Sequence, residues 1–271
     1  MRRLGREIPV AVVVLAFAAA AAADGVATPG ASAPEPTQRA TPERLAVDVL
    51  EVLPHDPDAF TQGLEWHAGL LLESTGLRGR SSLREVDPKT GAVRRRIALD
   101  PQFFGEGLTR VGDRLVQLTW RSGVAFVYDV TTLAVLDRFT YEGEGWGLCF
   151  DGTSLVQSDG SSFLFRRDPT TFELRERIAV RRDGRPLSRL NELECVGDEI
   201  YANVWRTDEI VVIDPERGEV RATIDASTLL SPVERVRVDV LNGIAHDPQS
   251  GDFYVTGKLW PKLFRVRFVP R

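Results

Sequence analysis

Residues 105–141 read GEGLTRVGDRLVQLTWRSGVAFVYDVTTLAVLDRFTY, and this stretch contains the whole plan of one structural unit. Four short apolar runs are separated by turns that contain Gly or Asp. Short runs with this punctuation are typical of β-strands joined by tight turns. The stretch therefore predicts four consecutive β-strands, each antiparallel to the one before it.

The same plan occurs five times along the chain. Each unit opens with a variable residue, then Gly or Glu, then an aliphatic residue. The five openings, which lie 44, 40, 45 and 51 residues apart, are Gln62-Gly63-Leu64, Glu106-Gly107-Leu108, Trp146-Gly147-Leu148, Asn191-Glu192-Leu193 and Asn242-Gly243-Ile244. Repeats at this period are typical of propellers and solenoids. Four strands per unit favour an all-β, five-bladed β-propeller.

The last unit stops one strand short of the plan. Residues 45–53 (LAVDVLEVL) alternate like a strand and belong to no complete unit. We therefore predict that this N-terminal strand completes the last blade and closes the ring, which also removes exposed sheet edges. The alternative, an irregular β-sandwich, explains neither the spacing nor the missing strand.

The N-terminus has the pattern of an export signal. A basic start is followed by an apolar run over residues 10–22, too short to span a bilayer comfortably, and then by Ala21-Ala22-Ala23. We predict a signal peptide over residues 1–23, a flexible linker over 24–44 and the domain over 45–271. An uncleaved anchor is the alternative. The expected location is periplasmic or extracellular, with no membrane association after cleavage.

Composition excludes several functions. The formal net charge of −5 gives no support for nucleic-acid binding. The three histidines, His55, His67 and His246, form no HExxH pattern, so a catalytic zinc site is not expected. Two cysteines, Cys149 and Cys195, open neighbouring units and are either bridged or two separate buried thiols.

The variable residues of the five openings are expected at one end of the central channel. The second strand of each unit runs back to that same end, where its alignment places Trp120, Trp205 and Lys258. Taken singly, each residue could be an ordinary core or turn residue, since Trp is usually buried. Their coincidence in two equivalent positions favours a binding or catalytic site. We expect the flanking glycines to let a ligand approach the backbone closely.

A set of ordered motifs resembles a known family. The strings are HDPDAFTQGL, LLESTGLRGRSSL, FFGEGLT, LTW, EGWGL, SDGSS, LNELE, ANVW, LNGIAHD and TGKLWPKLF. Over about residues 47–268 the sequence resembles the plant-type glutaminyl-peptide cyclotransferases. The resemblance implies a five-bladed propeller that needs no zinc and requires no cofactor, although some members hold a structural cation such as calcium.

The implied activity is cyclisation of an N-terminal glutamine to pyroglutamate, with release of ammonia. The expected partners are peptides or proteins with N-terminal glutamine, and the expected state is a monomer. By resemblance Glu106 is the general base and then the general acid, and burial should raise its pKa. The remaining assignments are substrate contacts by Gln62, Asn191 and Lys258 and apolar walls by Phe60, Phe104, Trp120, Trp146 and Trp205. Glu144 either takes part directly or only orients its neighbours.

Two other functions stay open at this point. A non-catalytic propeller could bind peptides or sugars on the same aromatic rim. A calcium-dependent propeller hydrolase, such as a lactonase, would need several acidic residues around the channel, and Glu106 is the single carboxylate in the five opening positions.

Overall fold

The computed structural model of the protein describes residues 41–271, so the predicted signal peptide and most of the predicted linker lie outside the described residues. The described chain is all-β apart from one short helix. The strands are β1 Glu43–Pro54, β2 Thr61–His67, β3 Leu70–Thr75, β4 Ser82–Val86, β5 Val93–Ala98, β6 Gly105–Val111, β7 Arg114–Thr119, β8 Val124–Asp129, β9 Val135–Thr140, β10 Leu148–Phe150, β11 Leu155–Ser158, β12 Phe163–Arg167, β13 Leu174–Ala179, β14 Arg181–Arg182, β15 Arg185–Pro186, β16 Leu190–Val196, β17 Glu199–Val204, β18 Glu209–Ile213, β19 Val220–Asp225, β20 Leu241–His246, β21 Phe253–Gly257 and β22 Lys262–Pro270, and the helix is α1 Pro232–Arg235.

Twenty of the strands form five antiparallel groups of four, and β14 and β15 pair as a separate two-stranded sheet. Group 1 is β2 to β5, group 2 is β6 to β9 and group 3 is β10 to β13, each a separate sheet in chain order. Group 4 is β16 to β19, and group 5 consists of β20, β21, β22 and β1. Within residues 41–271, no helix has the length and apolarity needed to cross a bilayer.

The N-terminal strand lies where the sequence predicted. β1 pairs antiparallel with β22, from Leu45 opposite Pro270 to Pro54 opposite Lys262, and so forms the outer strand of group 5. Its first residues, Glu43 to Ala46, also pair in parallel with β19. This second pairing, which was not predicted from the sequence, joins groups 4 and 5 into one eight-stranded sheet.

The hydrophobic core is divided among the interfaces between successive groups. Five separate clusters of buried apolar residues exist, one for each interface, and the fifth lies between group 5 and group 1. In that last cluster Leu53 and Tyr254 pack with Leu64 and Leu71. Each group therefore buries one face against the group before it and one against the group after it.

The innermost strands contact one another in a closed circuit. β2 contacts β6, β6 contacts β10, β10 contacts β16, β16 contacts β20 and β20 contacts β2. Glycines permit this approach, because a Cβ added at Gly147 would lie 2.0 Å from the carbonyl oxygen of Asn191 and one at Gly107 would lie 2.5 Å from the Leu148 nitrogen. The expectation that these glycines make room for a ligand is therefore wrong, since the space belongs to the neighbouring strand.

The two cysteines form a disulfide. Cys149 in β10 and Cys195 in β16 are bridged, with their Cα atoms 5.5 Å apart, and this covalently links groups 3 and 4. The cysteines are 46 residues apart in sequence. In the chain-entropy account, closing a loop of this size stabilises the fold by about 4 kcal/mol.

A buried charged cluster ties the segment between β1 and β2 to group 1. Glu73 of β3 accepts hydrogen bonds from Thr61 Oγ1 at 2.7 Å and from Arg84 Nε at 3.2 Å, and its Oε1 lies 3.1 Å from His55 Nε2. Arg84 also pairs with Asp56 at 2.6 Å. His55 Nδ1 donates to the Trp260 carbonyl at 2.7 Å, which extends the cluster to group 5.

Candidate active site

Four of the innermost strands are irregular at the position of their variable opening residue. Each of the four has a register shift there, where an extra residue bulges from the ladder. The shifts lie between Thr61 and Gly63 in β2, Gly105 and Leu108 in β6, Leu190 and Leu193 in β16, and Leu241 and Ile244 in β20. A β-bulge bends its strand and re-aims a side chain. At these bulges the side chains no longer alternate regularly between the two faces of the strand, so the opening side chain can take a different direction.

All nine residues that sequence analysis selected line one cavity of about 270 Å³. Two residues that it did not select, Arg206 and Asp239, line the same cavity. The complete lining is Phe60, Gln62, Phe104, Glu106, Trp120, Trp146, Asn191, Trp205, Arg206, Asp239 and Lys258. The cavity thus combines one buried carboxyl, one buried amine, two amides and five aromatic rings.

Glu106 lies at the buried end of this cavity and is 4% exposed. Its Oε1 accepts a hydrogen bond of 3.0 Å from Gln62 Nε2. Burial raises the pKa of Glu106 well above the usual range of a glutamic acid; the positive charge of Lys258 opposes this shift, and the negative charge of Glu144 adds to it. The shift moves the pKa of this carboxyl towards the range in which a general base and acid works.

Lys258 is the buried cation of the cavity. It is 5% exposed, and its Nζ lies 5.0 Å from the centre of the Phe60 ring. Burial lowers the pKa of the amine, while the negative charges of Glu106 and Asp239 raise it, and the net shift is downward. The cavity therefore contains an acid and a base whose pKa values are moved towards each other by burial.

The aromatic walls are packed against one another. Phe60 and Phe104 meet edge to face with ring centres 6.0 Å apart, and Phe104 lies 5.6 Å from Trp120. On the other side, Trp146 and Trp205 are also edge to face, with 5.4 Å between ring centres. Such contacts restrict the rotamers of the rings, so the cavity has a defined shape.

Glu144 orients two of the indoles. Its Oε2 accepts hydrogen bonds from Trp120 Nε1 at 2.7 Å and Trp146 Nε1 at 2.9 Å, and its Oε1 accepts one of 2.7 Å from Arg121 Nε. Burial would raise the pKa of Glu144, but the donors Trp146, Arg121 and Trp120 outweigh it, so the pKa falls below its usual range. Glu144 is therefore an ionised acceptor that connects two walls of the cavity.

We expect Glu144→Ala to lower kcat/KM for the reaction of this cavity by about 10- to 100-fold, because small displacements of positioning groups have effects of this size. Glu144→Gln, which keeps an acceptor oxygen, should recover part of the loss. Steady-state kinetics of the two variants would measure both effects. Glu142→Ala is the matched control, since Glu142 is exposed and lies outside the cavity. Equal activity of Glu144→Ala and the control would contradict the orienting role.

Two glycines of the site were missed by sequence analysis. Gly76 and Gly160 end the second strands of groups 1 and 3, in the position that Trp120, Trp205 and Lys258 occupy elsewhere. A Cβ on Gly76 would lie 2.3 Å from the Phe104 ring, and one on Gly160, whose φ is +81°, would lie 2.7 Å from the Trp146 ring. Extending the second-strand alignment to all five units would have found them.

Asn242 lies behind the cavity instead of lining it. Its Nδ2 donates to the carbonyl oxygen of Thr61 at 3.0 Å and lies 3.5 Å from Gln62 Oε1. Asn242 therefore supports the strand that presents Gln62. Asn191, in contrast, lines the cavity directly.

Three further carboxyls lie on the innermost strands, with Glu192 and Glu194 buried and Glu65 half-buried. Glu192 replaces the glycine of the other units and accepts hydrogen bonds from the backbone nitrogens of Leu64 at 3.2 Å and Ile244 at 2.8 Å. Burial raises the pKa of Glu65 to about 7 and the pKa values of Glu192 and Glu194 well above their usual range. The innermost strands thus carry more acidic side chains than the five opening positions indicate.

These carboxyls do not restore the calcium-dependent alternative. Glu192 uses both oxygens to hold backbone nitrogens from two other groups, which is a structural function. Among residues 41–271, no group of three or more His, Cys, Asp or Glu side chains is arranged to hold a metal ion. We therefore derive no step through a metal.

Fold and cavity together define a class of protein: an all-β protein with a buried carboxyl of raised pKa in an aromatic cavity. Comparison with known proteins gives the family. The sequence model of the family described as glutamine cyclotransferase matches residues 13–268. The chain is 44% identical over 226 residues to a glutaminyl-peptide cyclotransferase of Arabidopsis thaliana, covering 82% of this chain and 71% of that protein. The chain belongs to the glutamine cyclotransferase family.

A solved structure gives the same relationship. The crystal structure of Myxococcus xanthus glutaminyl cyclase superposes with a TM-score of 0.80 at 39% sequence identity. The match covers 85% of this chain and 99% of that one. The all-β fold described above is therefore similar to that of a bacterial glutaminyl cyclase.

Proposed function

We propose that this protein is a glutaminyl-peptide cyclotransferase that acts in the cavity around Glu106. It converts the N-terminal glutamine of a peptide or protein to pyroglutamate. The α-amino nitrogen attacks the side-chain amide carbon, a ring C–N bond forms, the bond to the amide nitrogen breaks, and ammonia leaves. Membership of the glutamine cyclotransferase family supports this activity. The observation that carries it is the buried Glu106 carboxyl of raised pKa in an aromatic cavity.

Glu106 is the proton carrier in this proposal. As a carboxylate it accepts a proton from the attacking α-amino group, and as a carboxylic acid it donates a proton to the departing amide nitrogen. The reaction is intramolecular, so holding the glutamine in a ring-closing geometry supplies a large part of the rate. The five aromatic walls exclude water and hold that geometry.

Three polar groups bind the substrate amide in this proposal. Gln62 already donates to Glu106 and so fixes the orientation of the carboxyl. Asn191 contacts the substrate amide from the opposite part of the lining. Lys258, a buried cation beside Phe60, stabilises the negative charge that develops on the amide oxygen during attack.

We further propose that the five groups are the blades of a five-bladed β-propeller. The closed circuit of contacts among the innermost strands and the five separate core clusters support this architecture. In it, β1 closes the ring as the outer strand of the last blade. The parallel pairing of β1 with β19 then adds a direct link between two adjacent blades.

The remaining assignments rest on sequence alone. We propose that residues 1–23 are a signal peptide, that residues 24–44 are mainly a linker, and that the mature protein acts as a monomer in the periplasm or outside the cell. The disulfide agrees with an oxidising compartment. No cofactor is required for the chemistry written above.

Ammonia release from a glutamine-initiated peptide tests the proposed function. We expect one ammonia and one pyroglutamyl peptide for each substrate consumed. A peptide with an acetylated N-terminal glutamine should not react, because its nitrogen cannot attack. Activity should survive incubation with a chelator. An inactive wild-type protein that still binds the peptide would favour a non-catalytic propeller, and loss with chelator would give a metal a role.

A further inference from the structure

A second cavity adjoins the one around Glu106. It has a volume of about 350 Å³, and Arg206 and Asp239 line both cavities. Its other walls come from the segment after β17, including Thr207, from the segment between β19 and β20, including Leu230 and Val238, and from Trp260 between β21 and β22. The two shared residues are exposed, whereas Glu106 is buried. A chain that leaves the first cavity past these residues therefore enters the second.

The wall of the second cavity is held in place by specific contacts. Arg235 of α1 forms an ion pair with Asp208 at 2.7 Å, which joins the two segments that form the cavity. Trp260 Nε1 donates to the carbonyl oxygen of Asp239 at 2.9 Å. These two contacts connect the segments that form the wall of the cavity.

Arg206 has charge available for a ligand. Its guanidinium lies over the Trp205 ring, 4.4 Å from the ring centre, and it forms no ion pair within residues 41–271. Arg121 gives an internal comparison, because it lies over Trp120 at 4.0 Å but is neutralised by Glu144 at 2.7 Å. Asp208, the carboxylate nearest in sequence to Arg206, is already paired with Arg235.

We propose that the second cavity binds the residues that follow the N-terminal glutamine, and that Arg206 selects substrates with a carboxylate there. This inference rests on the proposed function. The carboxylate is either an acidic side chain on the first or second residue after glutamine or the terminal carboxylate of a short peptide. An arginine beside an aromatic face offers a planar fork of donors that suits this group.

Substrate pairs that differ only in charge test the proposal. The measurement is kcat/KM for Gln-Glu-Ala, Gln-Ala-Glu, Gln-Lys-Ala and Gln-Ala-Ala, all as C-terminal amides, and for Gln-Ala-Ala with a free carboxylate. In wild type, kcat/KM for the best acidic peptide should exceed kcat/KM for Gln-Lys-Ala by about 3- to 10-fold, which is the range expected for a partly exposed charged contact. The ratio should fall to about one in Arg206→Ala and invert in Arg206→Glu. The free acid separates the terminal source from the side-chain source.

Two controls separate this proposal from its alternatives. Arg217→Ala removes an exposed charge in the turn between β18 and β19, away from both cavities, and should keep the wild-type ratio. Val238→Trp should fill the second cavity and lower the ratio of kcat/KM for Gln-Glu-Ala amide to that for glutamine amide. If the ratio of kcat/KM between the acidic peptides and Gln-Lys-Ala is unchanged in Arg206→Ala, the proposed subsite is wrong. The proposed cyclase activity is not affected by that result. A wild type that cyclises neither peptides nor glutamine amide would overturn both.

Discussion

Glu106→Gln is expected to lower kcat by about 10²- to 10⁴-fold, the range that general acid–base catalysis contributes. The substitution keeps the size of the side chain and an oxygen that can accept from Gln62, but the amide cannot carry the proton from the attacking nitrogen to the leaving nitrogen. KM should change less than kcat, because the aromatic walls and Lys258 remain. Ammonia release under single-turnover and steady-state conditions would measure the effect.

The stability of the fold should not fall with kcat in Glu106→Gln. A carboxyl whose pKa is raised in the folded state makes the fold progressively less stable as pH rises from the ordinary pKa of 4.5 through the raised value, and Glu106 is such a carboxyl. The neutral amide removes that effect, so Glu106→Gln should unfold at the same or a higher denaturant concentration than wild type. Loss of activity with retained stability would separate a catalytic role from a structural one.

The pH dependence of wild type follows from the same shift. The active form for attack is the carboxylate, so kcat/KM should rise as pH increases through the raised pKa of Glu106, well above the range of an ordinary glutamic acid. Glu65→Gln is a matched control, since Glu65 is also a carboxyl of raised pKa but lies outside the cavity. It should retain activity within a few-fold of wild type. Wild-type kcat in Glu106→Gln would refute the mechanism.

Much of the strand plan could be predicted because the repeat shows it five times. Turn residues and apolar runs set each strand, and the incomplete last unit required a strand from elsewhere, which β1 supplies by pairing with β22. The parallel pairing of β1 with β19 could not be predicted in this way. It depends on the 12-residue length of β1, which extends past its antiparallel partner, and no repeat carries that information.

The cavity lining could be predicted where a residue occupies a repeated position. Seven of the nine selected residues occupy the two repeated positions, and the structure brings these positions together in one cavity, whereas Phe60 and Phe104 were assigned from the resemblance alone. Arg206 and Asp239 were missed for a physical reason: Arg206 follows the repeated position, and Asp239 lies in a segment that only one unit has. Glu192 was assigned no role, because its partners are backbone nitrogens of two other groups, which the sequence does not show.

Glu73→Gln is expected to lower the free energy of unfolding by about 3 to 5 kcal/mol, the usual cost of removing one partner from a buried ion pair. Glu73 holds Arg84 and His55, both buried, and the amide would leave these groups without their negative partner. The total stability of a domain is about 5 to 15 kcal/mol, so the loss is a large fraction. Chemical denaturation at neutral pH would measure it.

The change in the free energy of unfolding at acid pH gives a second measurement on the charged cluster around Glu73. Burial alone would raise the pKa of Glu73, but the positive charges of Arg84 and His55 and their hydrogen bonds lower it to about 2. The stabilisation by Glu73 is therefore present above the ordinary pKa of 4.5 and is lost as pH falls from there towards 2. Wild type should lose stability across this window more steeply than Glu73→Gln. The buried carboxyls of raised pKa have the opposite dependence, but they are common to both proteins and cancel in the difference.

His55 makes the contribution of this cluster to stability depend on pH above the acid range as well. Burial lowers the pKa of His55, but the Glu73 carboxylate and the Trp260 carbonyl raise it, and the net shift is upward. Its contribution is complete below the ordinary pKa of 6.5 and is lost as pH rises through the raised value.

Glu216→Gln is the matched control for Glu73→Gln, because its partner Arg166 lies 2.8 Å away but the Glu216 side chain is 77% exposed. That change should cost under about 1 kcal/mol. Equal costs in the two variants would show that the charged cluster around Glu73 does not hold the segment before β2.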